Sequence, residues 1–151
     1  MAQHARHYLF LLLIPILGLF FVSANSLAGD HSLKVKIIHA TKTGVEVDAE
    51  IKSLANDFSQ LNFTSFKVID KAKIDVAIGG SSKFQLPNGL WMKVTLLRVD
   101  KDGGMRLKIV AKKLKFKSTI AIKPGGTVAV GGPSYKDGAL IFALSRAKRS
   151  P

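Results

Sequence analysis

The sequence predicts a mainly β protein, an antiparallel sandwich or small open barrel of about eight or nine short strands with one N-terminal helix. Three observations carry that expectation. Short segments that alternate apolar and polar residues recur along the chain, separated by turn signals at Gly79-Gly80, Asn88-Gly89, Lys101-Asp102-Gly103-Gly104, Pro124-Gly125-Gly126 and Lys136-Asp137-Gly138. A single stretch changes period, with Val47, Ile51, Leu54, Ala55, Phe58 and Leu61 recurring at helical spacing. Finally, Ala139-Leu140-Ile141-Phe142-Ala143-Leu144 is an unbroken apolar run bounded by turns, the pattern of a strand buried on both faces.

The chain has 151 residues and 47 % hydrophobic content, enough for one domain with a core of its own. Residues 1–28 read as a secretory signal peptide: a weakly basic start at His4, Arg6 and His7, an apolar run from Tyr8 to Val22, and small residues at Ser26 and Ala28. That run of 15 residues is shorter than the roughly 20 needed to span a bilayer, so cleavage is expected rather than anchoring. The mature domain is then residues 29–147, followed by a basic tail at 148–151. The absence of cysteine excludes disulfides, thiol chemistry and a lipidated cysteine after the signal. An exported protein, periplasmic or at the cell surface, is the expectation.

In order along the mature chain, Leu33-Lys34-Val35-Lys36-Ile37 alternates apolar and basic residues as a half-buried first strand. The helical segment follows, with Asp48 and Glu50 near its start, where the macrodipole favours acid; about three turns are expected. Residues 63–70 and 72–78 then read as two strands. Residues 83–87 and 90–100 flank Asn88-Gly89, the strongest short-range hairpin signal, and Pro87 implies an edge position or a strand end. Met105, Leu107, Ile109 and Ala111 resume the alternation.

Apolar residues hold odd positions up to Ala111 and even ones at Leu114, Phe116, Ile120 and Ile122. Strand side chains alternate strictly, so this change at Lys112-Lys113 requires either a long bent strand crossing between sheets or two strands with a tight corner. Residues 118–145 read as a short meander closing in a hairpin. In it Gly131-Gly132-Pro133 ends a strand, and Gly138 is suited to the left-handed position of the last turn.

Recognisable catalytic chemistry is scarce. His31 and His39 are the only histidines after residue 28, each without a companion acid in a motif, His31 in a mobile new terminus and His39 at a strand end. No metal-ligand spacing and no cofactor motif occurs, and the glycine pairs lack the lysine and following helix of a phosphate loop. A non-enzymatic protein is expected.

Charge is more informative. Lys plus Arg number 23 against 10 Asp plus Glu, and removing the signal takes away only Arg6, leaving a net +12. Such a domain is drawn to anionic polymers, lipid head groups or acidic proteins, although there is no specific nucleic-acid motif. The densest basic run, Arg106, Lys108, Lys112, Lys113, Lys115 and Lys117, is the candidate anion-binding stripe, with Trp91, Phe66 or Tyr135 as a stacking surface. The competing explanation is that lysine on an edge strand guards against edge-to-edge aggregation.

Thr64-Ser65-Phe66-Lys67, Leu86-Pro87-Asn88-Gly89 with Val94-Thr95-Leu96, and residues 125–133 with Gly138-Ala139-Leu140-Ile141 together resemble a group of small exported bacterial all-β proteins of unassigned function. Residues 118–132 resemble the strand-turn-strand near the end of the secretin domain of outer-membrane secretion channels, which implies a lean toward envelope assembly. The expected function is binding of an envelope protein partner or an anionic polymer. A structural subunit of an envelope assembly, or an enzyme without a recognisable motif, is the alternative.

Overall fold

The computed structural model describes residues 31–147. The signal peptide expected over residues 1–28 and the basic tail at 148–151 lie outside the described residues. The strands are β1 His31–Thr41, β2 Ser65–Val76, β3 Ser81–Gln85, β4 Trp91–Val99, β5 Met105–Ala111, β6 Phe116–Ile122, β7 Thr127–Tyr135 and β8 Gly138–Arg146. They form two antiparallel four-stranded sheets, ordered β2-β1-β8-β7 and β3-β4-β5-β6, with no closed barrel. Each strand pairs with the next in the chain except at two corners, β2 to β3 and β6 to β7, and β8 returns to pair with β1.

The larger core lies between the sheets. Leu33, Val35 and Ile37 of β1 and Leu140, Phe142 and Leu144 of β8 meet Met92, Val94 and Leu96 of β4 and Met105, Leu107 and Ile109 of β5. Alternation delivers this layer, since every second residue of each strand faces inward. A second core covers the opposite face of the first sheet. Ile38, Ala40, Phe66, Ile141 and Ala143 point away from the sandwich and are capped by Ile51, Leu54 and Phe58. Phe58 stacks on Phe66 with ring centroids 4.6 Å apart and an interplanar angle of 14°, a contact worth about 1 kcal/mol beyond its area. The apolar run of β8 is therefore buried on both faces, as its sequence predicts.

The capping segment corrects the expected three-turn helix. It is a 3₁₀ turn, Ala49–Leu54, followed by one α turn, α1, Ala55–Phe58. Ile51 and Leu54 are three apart, which a 3₁₀ turn stacks on one side, while Leu54 and Phe58 are four apart, which suits an α turn. The periodicity identified the face that packs, but a segment this short is shaped by its contacts more than by propensity.

Two strands expected over residues 63–70 and 72–78 are one, β2. Ile37 pairs with Asp70 and Ile38 with Val68, so Ile69 is a bulge. The extra residue lets even-numbered side chains change faces: Phe66 and Val68 join the outer core, and Ile74 and Val76 the inner one. At Lys112-Lys113 the tight corner is the outcome. A 3₁₀ turn, Lys112–Leu114, and Lys115 at φ 50° reverse the chain so that Phe116 lies opposite Ala111 in the same sheet. The Asn88-Gly89 hairpin also forms, with Gly89 at φ 78° and Pro87 just beyond edge strand β3.

The closing meander needs three corrections. β6 and β7 belong to different sheets, so the Pro124 turn is a corner rather than a hairpin. β7 continues through Gly131-Gly132-Pro133 as a bulge, with Gly132 packed so closely on the Phe142 ring that a Cβ would meet Cε2 at 2.5 Å. Gly138 is not the left-handed residue of the last turn; Lys136 is, at φ 49°. Gly138 is required because a Cβ there would collide with the backbone carbonyl of Ala40 on β1.

Candidate basic and aromatic face

Among the described residues no segment covers the outer face of the second sheet, whose composition follows from the register. Lys83 of β3 lies directly opposite Lys93 of β4, which lies opposite Val110 of β5, itself opposite Lys117 of β6. The next row is Ser81, Thr95, Lys108 and Thr119, and the row beyond holds Arg98, Arg106 and Ala121. The four strands of this sheet contain no Asp or Glu. Among the described residues, only Arg98 of this face has a carboxylate partner, Asp100, whose Oδ1 accepts from Nε at 2.9 Å.

Of the predicted stripe, Arg106, Lys108 and Lys117 share this face, while Lys112 and Lys113 stand at its end on the 3₁₀ turn. Lys115 is the left-handed residue that completes that turn, its N–H donating to the Lys112 carbonyl at 3.1 Å. The stripe is thus folded into a hairpin instead of running along one strand. Arg106 stands opposite Arg98, and its Nε is shielded from solvent without an acceptor among the described residues. Arg106 and Lys108 lie on β5, an interior strand, and Lys93 lies on β4, also interior. Protection of a sheet edge therefore accounts only for Lys83 and Lys117.

Beside this face is an open groove of about 490 Å3 lined chiefly by Lys83, Trp91, Lys93, Val110, Lys112 and Lys113. Trp91 is 58 % exposed. The other two aromatic candidates are engaged elsewhere: Phe66 is buried against Phe58, and Tyr135 packs edge-on to His39 at 5.3 Å. Lys83 and Lys93 were missed in the stripe because they are ten residues apart in the chain. The Asn88-Gly89 hairpin carried the signal, since the pairing of Gln85 with Trp91 fixes Lys83 opposite Lys93.

A smaller hollow of about 370 Å3 on the first sheet is lined by Glu50, Val68, Ile69, Asp70 and Lys71. Glu50 reaches from the capping segment to two lysines paired across β1 and β2, its Oε1 2.6 Å from Lys71 Nζ and its Oε2 3.5 Å from Lys36 Nζ. The hydrogen bond from Lys71, with the charges of both lysines, holds the Glu50 carboxyl below the usual glutamate range despite an opposing effect of burial.

The histidines are placed differently from expectation. His31 opens β1, pairs with Val76, and has the Arg146 Nη2 3.3 Å from its Nδ1. His39 lies inside β1 with Asp137 Oδ1 3.3 Å from its Nε2, within ion-pair distance but without hydrogen-bond alignment. Neither groove is lined by either histidine. Among the described residues no group of three or more potential metal-ligating His, Asp or Glu side chains comes together. Compared with models of known protein families, with curated proteins and with solved structures, the chain has no significant match.

Proposed function

We propose that the protein is an exported, non-enzymatic β-domain that binds an anionic polymer through the outer face of its second sheet. The observation that carries this reading is the charge pattern of strands β3 to β6, which present Lys83, Lys93, Arg98, Arg106, Lys108 and Lys117 with no Asp or Glu within any of them. Directly opposed cations destabilise a sheet, and two such pairs, Lys83 with Lys93 and Arg98 with Arg106, occur on one face. Lys93, Arg98, Arg106 and Lys108 lie on the interior strands β4 and β5, where edge protection does not account for them and an external anion does. Export rests on the signal peptide expected over residues 1–28.

The test is binding to heparin and to lipopolysaccharide, measured at low and at high salt. The expected result is retention at low salt, with affinity falling by about tenfold or more between roughly 50 and 200 mM salt as counterions compete. Absence of binding to both at low salt overturns the reading.

A further inference from the structure

The first sheet of this molecule already shows what a cross-strand lysine pair does with a carboxylate. Lys36 and Lys71 stand opposite each other on β1 and β2, and the Glu50 carboxylate sits between them, 3.5 Å from one ammonium and 2.6 Å from the other. Lys83 and Lys93 repeat that arrangement on β3 and β4 of the second sheet, at directly opposed register positions, with no carboxylate of the described residues within ion-pair distance. The difference is what stands beside the pair: on the second sheet, the exposed ring of Trp91 and the groove of about 490 Å3 that both lysines line.

We propose that this groove is a subsite for one carboxylated sugar unit of an acidic polysaccharide, its carboxylate held between Lys83 and Lys93 and the apolar face of its ring laid on Trp91. The proposal rests on the polyanion reading above and names the ligand class of that face. Three features favour a uronate over other anions. The internal counterpart of the clamp holds a carboxylate, so the spacing of a cross-strand lysine pair suits that group. The groove wall combines lysines with apolar side chains, Val110 and Leu114 included, matching a ligand that is anionic on one edge and apolar on its ring face. Trp91 is the only tryptophan, and no Phe or Tyr points outward from this sheet to continue a stacked row, whereas single-stranded nucleic acid is held by several aromatic side chains in succession. Arg106 and Lys108 then follow the polymer along the face as a less specific track.

Because Trp91 is the sole tryptophan, its fluorescence reports occupancy of the groove directly. The full-length chain is titrated at low salt with a short oligogalacturonate, with a neutral gluco-oligosaccharide of equal length and with oligo-dT. The expected result is a saturable change in tryptophan emission with the uronate alone. Lys83→Gln and Lys93→Gln should each weaken that binding about tenfold, as loss of one charge-assisted contact does. Trp91→Ala, followed by calorimetry, should do likewise. Lys73→Gln, which removes half of another cross-strand lysine pair, that with Lys34, should leave it unchanged, and that pair does not line the groove. Heparin binding that persists while oligogalacturonate leaves Trp91 unperturbed overturns this proposal but not the polyanion reading. Equal binding of the neutral sugar, tighter engagement of Trp91 by oligo-dT, or insensitivity to both Lys83→Gln and Lys93→Gln also overturns it. Failure to bind heparin, lipopolysaccharide and oligogalacturonate removes both readings together.

Discussion

The two sheets have similar inward faces and opposite outward ones. On the first sheet, Ile38, Ala40, Phe66, Ile141 and Ala143 point outward and need a lid, which the segment carrying Ile51, Leu54 and Phe58 supplies. On the second, the outward positions are mainly lysine, arginine, threonine and serine, with Val110, Ala121 and the exposed Trp91 among them, and no segment of the described residues covers them. On the first sheet Glu50 bridges the opposed pair Lys36 and Lys71 but not the pair Lys34 and Lys73, while on the second Lys83 and Lys93 have no carboxylate within ion-pair distance among the described residues. One outer face is used for stability and the other is exposed among the described residues, and that division sets what each face tolerates.

The largest contrast should come from placing the same charge on each face. Ile141 is 1 % exposed beneath the capping segment, so Ile141→Asp buries an unpaired carboxylate and should unfold the domain, a cost of several kcal/mol. Thr119→Asp, exposed on the second sheet opposite Lys108, should change stability by no more than about 0.5 kcal/mol while weakening polyanion binding. Urea denaturation of the two variants reads the difference. A folded Ile141→Asp protein would show that the first sheet's outer face is open, and the comparison would collapse.

Removing one aromatic from each face sharpens the division. Phe58 is buried and stacked on Phe66, so Phe58→Ala should cost about 3–5 kcal/mol through lost burial and the cavity left behind. Trp91→Ala should cost about 1 kcal/mol or less, since more than half of that side chain is already in water. The midpoints of denaturant unfolding give both values. A Trp91→Ala loss as large as that of Phe58→Ala would make Trp91 a structural residue.

The smallest effect expected is electrostatic and confined to the first sheet. Glu50 has its carboxyl pKa lowered in the folded state by the Lys71 hydrogen bond and the two lysine charges. Its contribution to stability is therefore fully present above the unfolded-state value and is lost as pH falls through the folded one. Compared with Glu50→Gln, the native chain should be the more stable at neutral pH, and the two should converge in acid. Equal stability at neutral pH would mean that solvent screening cancels the bridge.

Strand identity was legible because its signals are local: β1, β4 and β5 each show alternation within a few residues, and β8 shows an unbroken apolar run between turns. The Asn88-Gly89 hairpin was legible for the same reason, as its turn residues set the conformation directly. The candidate site was half legible. Arg106, Lys108, Lys112 and Lys113 stand close in the chain, and the site or its flank holds them all. Lys83 and Lys93 entered only through cross-strand register, and Phe66 and Tyr135 left because the first sheet and its hairpin occupy them.

By itself the sequence determined a mainly β chain, the doubly buried last strand, the turns and a large excess of positive charge. These depend on backbone conformation and on the balance of apolar and charged side chains, both properties of neighbouring residues. Only the tertiary structure decided which sheet each strand joins, which outer face is covered, and which cations lie beside a carboxylate. It also decided why Gly138 must be glycine, since the atom that excludes a side chain there belongs to Ala40, nearly a hundred positions away in the chain. Those outcomes depend on contacts between distant segments, whose geometry is set by packing after the local pieces have formed.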